Sequence, residues 1–165
     1  MLLDLKSIIE IPGEEIGFDC YLDVAELDFS QIVRFITPPR AVGTVKNSAG
    51  ALTLSAKLGV EMACLCDRCG SEFEYFKKQD VSVALAESPE DDENPDIFLV
   101  EGDWVDVGEI LRTCFVLEFE PKFLCSEDCA GLCETCGKNL NDDPCNCDKN
   151  DPRLASLRQL LDELD

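Results

Sequence analysis

Leu52-Thr53-Leu54-Ser55-Ala56-Lys57-Leu58-Gly59-Val60-Glu61-Met62-Ala63-Cys64-Leu65-Cys66-Asp67-Arg68-Cys69-Gly70 decides the fold of this chain. Leu52, Leu54, Ala56, Leu58, Val60, Met62 and Cys64 alternate with Thr53, Ser55, Lys57, Gly59, Glu61 and Ala63. That period of two predicts a strand with one buried and one wet face, as in an antiparallel sheet. Cys64 falls on the buried face and reads as a core residue. A second alternating run follows in Phe73, Tyr75, Val81, Val83 and Leu85. The two runs predict a long hairpin with C-x2-C-G at its tip. A tight turn there leaves both thiolates pointing outward, and the glycine permits the backbone approach that a cysteine knuckle needs.

Downstream, Cys125 to Cys147 reads C-S-E-D-C-A-G-L-C-E-T-C-G-K-N-L-N-D-D-P-C-N-C. It holds six of the 11 cysteines and repeats the C-x2-C-G pattern at Cys133, Cys136 and Gly137. Cys20, Cys64 and Cys114 lie on apolar faces of their segments, where a thiol is a small core residue. Eight cysteines remain, in the pairs 66/69, 125/129, 133/136 and 145/147. Structural zinc takes four ligands in a tetrahedron, so eight thiolates divide into two complete sites and imply two Zn²⁺. The favoured division is a local site from Cys133, Cys136, Cys145 and Cys147, with Gly137, Asn139, Asn141 and Pro144 as turn formers. The second site then joins Cys66 and Cys69 to Cys125 and Cys129. The rival division joins the two C-x2-C-G knuckles and leaves 125/129 with 145/147. Thioredoxin-type redox chemistry and an iron–sulfur cluster also stay open. The first usually opens a helix, whereas this C-x2-C joins two strands; the second lacks its C-x2-C-x2-C-x3-C run.

Elsewhere the signals are coarser. Residues 1–16 read as a short strand or helix ended by Pro12-Gly13. Phe18, Cys20, Leu22 and Val24 alternate as a half-buried strand. Pro38-Pro39 predicts a break, residues 40–46 a strand and Asn47-Ser48-Ala49-Gly50 a turn. Glu87 to Asp96 reads as an acidic, Pro-bounded mobile loop, with a docking strip for a basic partner as the functional alternative. Ile97 to Val100 suits a short strand. Asp106 to Phe119 predicts a helix with Val107, Ile110, Leu111 and Cys114 on one face, Asp106 and Glu109 as a capping box, and Pro121 as its stop. Asp151-Pro152 opens a last helix with an apolar face at Leu154, Leu157, Leu160 and Leu161. Together these elements predict an α+β fold. It is an antiparallel β-sheet or partly closed barrel with a packed helix (1–120), followed by a Cys-rich zinc module and terminal helix (121–165).

Composition narrows the chemistry. With 35 acidic against 14 basic residues, the net charge is −21. Such a surface repels phosphate backbones and attracts basic proteins; simple solubility is the plainer use of the same charge. There is no histidine, which removes imidazole bases, histidine-dependent nucleophiles and histidine ligands. Two full thiolate quartets leave no open metal position, so no enzyme is expected. No small-molecule substrate is expected either. No run approaches the ~20 apolar residues of a membrane span, and no signal peptide is evident. Clustered cysteines in a cytoplasmic protein mean metal or redox chemistry.

The sequence resembles the bacterial and plastid YceD family, named for large-subunit ribosomal RNA accumulation. The resemblance rests on Cys66-x-Arg68-Cys69 after an alternating strand, the helix before Pro121, and C-x3-C-x-G-L-C-x2-C-G-x-N-L-N from Cys125 to Asn141. Cys145-x-Cys147 and Asp151-Pro152-Arg153 complete it. Many relatives carry Leu where this chain has Gly70, with no consequence for metal binding. The resemblance implies a role in accumulation or maturation of 23S ribosomal RNA and no established reaction. Joined to the charge, it suggests an adaptor for a basic ribosomal protein or assembly factor, touching ribosomal RNA only indirectly. The alternative is a redox- or zinc-responsive regulator that loses metal on thiol oxidation. Arg68 either steadies the first knuckle or touches RNA locally.

Overall fold

The central hairpin forms as the alternation dictates. In the computed structural model, which describes residues 1–25, 27, 29–86 and 97–147, β4 spans Ala51–Leu65 and β5 spans Glu72–Ala86. They pair without a slip from Leu52 opposite Leu85 to Leu65 opposite Glu72. All seven inward residues of β4 are buried. Ala63, expected on the wet face, is buried as well.

β3 (Ile32–Ser48) runs along the other side of β4, and β2 (Glu15–Tyr21) along β3. The expected break at Pro38-Pro39 does not occur. The strand passes through, and the ladder shifts register between Thr37 and Arg40. Two prolines remove two N–H donors, and a bulge is where a sheet tolerates that loss. The Thr37 hydroxyl accepts the Glu61 N–H at 3.2 Å, and the Pro39 carbonyl accepts Leu22 N–H at 2.9 Å. The β3–β4 turn is tighter than expected, with Ala49 and Gly50 both at positive φ, as a two-residue hairpin loop of type I′ requires. Asn47 is therefore a strand residue. It is fully buried and donates to the carbonyls of Ile8 and Ile9 at 2.8 and 2.7 Å. Its Oδ1 accepts the Gly50 N–H at 2.8 Å.

The fifth strand, β6 (Ile97–Leu99), adds to β5 in parallel. Among the described residues, the strand order β2-β3-β4-β5-β6 leaves both outer strands unpaired on one side. The barrel is thus not closed, which corrects that half of the expectation. β1 (Leu2–Asp4) and β7 (Trp104–Asp106) form a separate antiparallel ribbon and close nothing. The described residues are mostly β, with two helices among them, α1 (Lys6–Ile9) and α2 (Val107–Leu117). Asp106 caps α2 by accepting the Glu109 N–H. Val107, Ile110, Leu111 and Phe115 bury its inner face against the sheet, with Cys114 half-buried beside them. Cys20 and Cys64 belong to the same core.

Two polar residues continue the inward face of β5 where the helix ends. Lys77 is buried and donates to Glu118 O at 2.8 Å and Glu120 Oε1 at 2.9 Å. Gln79 donates to Cys114 O at 3.0 Å. An ammonium suits the negative end of a helix dipole and satisfies carbonyls that lack intrahelical partners. An aromatic row then leads from α2 to the hairpin tip. Phe119 stacks on Phe29 (centroids 4.0 Å apart) and touches Phe123, which meets Tyr75 edge-on. Tyr75 meets Phe73, which packs against the first cysteine knuckle. No helix among the described residues is long and apolar enough to cross a membrane. The acidic stretch 87–96 and the expected terminal helix lie outside the described residues.

Candidate metal centre

Two stretches of C-x2-C-G fold into the same turn. Gly70 N–H donates to Cys66 O and Gly137 N–H to Cys133 O, both at 2.8 Å. Cys66 N–H in turn donates to Ser71 O at 2.9 Å, and Cys133 N–H to Lys138 O at 2.8 Å. Both glycines sit at positive φ, 69° and 70°, with open space where a Cβ would stand. Here the glycine is required by the backbone angle and not by crowding.

The first turn is the β4–β5 tip, as expected. The segment after α2 is fastened to it by reciprocal bonds. Asp67 N–H donates to Phe123 O at 2.8 Å, and Phe123 N–H donates to Asp67 Oδ2 at 2.6 Å. Arg68 reaches over and donates to the carbonyls of Glu127 and Cys129 at 3.2 and 3.0 Å. Its guanidinium therefore steadies the knuckle, the structural alternative of the two readings. Gly131, at φ 76°, lets the next loop approach the Arg68 carbonyl, which a Cβ there would meet at 3.1 Å.

These bonds bring Cys66, Cys69, Cys125 and Cys129 together, and a second group gathers Cys133, Cys136, Cys145 and Cys147. Within each group all four sulfurs lie within 4.8 Å of one another. This is the favoured division; the knuckle-to-knuckle pairing is not the one formed. The Cys66–Cys129 and Cys69–Cys125 sulfurs are each 3.7 Å apart. A tetrahedral ion with bonds of about 2.3 Å to sulfur separates its ligands by about 3.8 Å. Four thiols at that spacing can hold one metal ion. A cluster with several irons between the cysteines would spread the sulfurs wider.

The electrostatics split each group. Burial disfavours the Cys66 thiolate, but the backbone N–H groups of Cys125, Cys69 and Arg68 outweigh it and bring its pKa down to about 6. The Ser71 hydroxyl and N–H lower Cys69. Cys133 falls to about 6 through the N–H of Cys136, the Cys145 thiol and the N–H of Thr135. Cys125 is pushed up to about 12 by its hydrogen bond with Cys129, then by burial and its other sulfur neighbours. Cys147 rises to about 12 in the same way, with Cys136 as the first cause. Four thiolates cannot share so small a volume without a cation; a divalent metal ion would supply that charge.

Sequence reading missed the supports around the sulfurs. Asn141, expected only to form a turn, donates Nδ2 to Cys129 Sγ at 3.3 Å. Its Oδ1 accepts Ala130 N–H at 2.8 Å, and its Nδ2 also donates to Asn139 Oδ1 at 2.7 Å. Asn139 donates to Ser71 Oγ at 3.4 Å. A residue of the second loop thus supports a sulfur of the first group. The two asparagines were visible in the sequence; their reach to a sulfur outside their own loop was not.

The family described as "Large ribosomal RNA subunit accumulation protein YceD" matches residues 54–161. Among curated proteins, the chain is similar to YlbN of Bacillus subtilis (strain 168), described as an uncharacterized protein. The two are 27% identical over 166 residues, covering 98% of this chain and 96% of that one. No solved structure matches the chain. The family match begins within β4 and takes in the hairpin tip and both cysteine groups, well over half of the sequence: the chain belongs to the YceD family.

Proposed function

We propose that this chain is a non-enzymatic, zinc-stabilised factor for accumulation and maturation of 23S ribosomal RNA in large-subunit assembly. It works in the cytoplasm as an acidic adaptor for a basic ribosomal protein or assembly factor. The family implies the ribosomal RNA role. The observation that carries the rest is the pair of closed cysteine quartets in a chain of net charge −21. All-thiolate quartets suit Zn²⁺, which has no redox chemistry and, with four protein ligands, no open position for substrate. Cys66, Cys69, Cys125 and Cys129 would hold one ion; Cys133, Cys136, Cys145 and Cys147 would hold the other. The metals would fix the shape, and the acidic surface would hold a cationic partner that must not bind RNA at random.

The test is complementation of cells lacking their own family member, read as the ratio of 23S to 16S RNA. The chain should restore that ratio, and Cys66→Ser/Cys69→Ser should not. Elemental analysis of the purified protein should give about two zinc per chain. Salt-insensitive binding to bare ribosomal RNA, with no protein partner, would overturn the adaptor. One observation favours a second reading. Cys136 is exposed and Cys145 and Cys147 are half-buried, whereas three of the four sulfur-bearing residues of the first group are buried. Exposed thiolates meet oxidants first, so the second group suits a redox- or zinc-responsive regulator. Zinc release by mild peroxide, with binding restored on reduction, would favour that reading.

A further inference from the structure

We infer that the groove between α2, β6 and β7 is the docking site for a segment of a partner protein that combines basic and apolar side chains. The inference rests on the adaptor reading and gives it a surface.

The groove encloses about 460 Å³. Its floor is apolar, with Val105 and Ile110 as buried members. Its rim carries three large exposed apolar residues, Leu2, Leu99 and Trp104, 65%, 40% and 48% exposed. Trp104 is the only tryptophan of the chain. An indole left half in water on a three-residue strand contributes little to the core. On an interface it is among the strongest anchors, and its face attracts a guanidinium or ammonium.

The charged side chains on the walls are of one sign. Glu101, Asp106 and Glu109 line the groove, and among the described residues no lysine or arginine does. Asp106 is committed to capping α2 and to the Met1 ammonium, which donates to its Oδ1 at 2.8 Å. Glu101 and Glu109 are exposed and have no cationic partner among the described residues. Carboxylates beside an exposed indole, over an apolar floor, complement an arginine- or lysine-bearing segment with an apolar residue beside it. The same carboxylates repel a phosphate backbone, which selects a protein partner over RNA.

The test uses the full, zinc-loaded chain and a short fluorescent peptide alternating arginine and leucine. Its binding is read by anisotropy at physiological salt. Binding should weaken about tenfold in Trp104→Ala and about tenfold in Glu101→Lys/Glu109→Lys. Glu14→Lys/Glu15→Lys makes the same charge change at β2, the opposite edge of the sheet, and should shift binding by less than about twofold. Far-UV circular dichroism checks that each variant keeps the sheet. Quenching or a blue shift of Trp104 emission in the wild-type chain should accompany binding. Equal weakening by both charge reversals would overturn the groove but leave the adaptor standing. No binding of any basic peptide would overturn both. An oligouridine RNA that competes for the groove, or a second copy of the chain that fills it on concentration, would also refute the inference.

Discussion

Asn141→Ala tests whether the second loop supports the first metal group. Cys129 is buried, and its sulfur takes the Asn141 amide at 3.3 Å. The substitution removes that bond together with those to Ala130 and Asn139. A hydrogen bond to a charged group contributes about 1.5–3 kcal/mol. Asn141 is exposed on its outer side, so the lower end applies. That is about a tenfold loss of affinity, at the foot of the 10–100-fold range of outer-shell partners. Competition with a chromophoric zinc chelator resolves the two sites, and Cys69→Ser assigns the first. Asn141→Asp should weaken the site further, since a carboxylate keeps the bond from Ala130 but faces the thiolate with negative charge. Unchanged affinity at the first group in both variants would refute the reasoning.

Asn47→Ala removes three hydrogen bonds: the Ile9 carbonyl and the Gly50 N–H lose their Asn47 partner, and the Ile8 carbonyl keeps the Ile11 N–H. It should cost about 3 kcal/mol, a fall in Tm of roughly 6–12 °C, measured by calorimetry. Gly43→Ala drives a Cβ into the Ser55 carbonyl and the Ala56 Cα, both backbone. It should cost at least about 3 kcal/mol, seen as a lower denaturant midpoint or loss of soluble protein. Gly70→Ala and Gly137→Ala meet no neighbour, so the cost is the positive φ alone, about 1–2 kcal/mol. Each should weaken its own metal group, by roughly 5–30-fold at that energy, and the other group by less.

Much of this was legible because the relevant patterns are short in period. The period of two fixed β4, β5 and the inward faces, and the cysteine spacing fixed both knuckles. What failed needed tertiary information. Pro38-Pro39 reads as a break, yet β3 continues because Thr37 and the Pro39 carbonyl serve donors across the bulge. Lys77 and Gln79 interrupt the apolar pattern of β5. Their buried place makes sense only once the end of α2 lies over them. The parallel addition of β6 depends on how the chain returns after β5, and no local pattern encodes that. The division of eight cysteines into quartets stayed open because spacing limits which pairs can meet and does not choose among them.

The choice between the two divisions comes from bonds that involve no sulfur. Asp67 with Phe123, and Arg68 with Glu127 and Cys129, place residues 123–129 on the hairpin tip. Cys69 and Cys125 are 56 residues apart in sequence, and closing so long a loop is entropically costly. The sheet and these bonds contribute toward that cost through contacts that involve no metal. The second group has a different balance. Its four cysteines lie within one short loop, held by knuckle bonds and by Asn139 and Asn141. A metal there would organise its own loop and, through Asn141, the buried sulfur of Cys129. The first group is thus a seat prepared by the fold, and the second is a clasp whose closure steadies that seat. Coupling in that direction requires its reciprocal: a metal in the first group must tighten the second by the same factor.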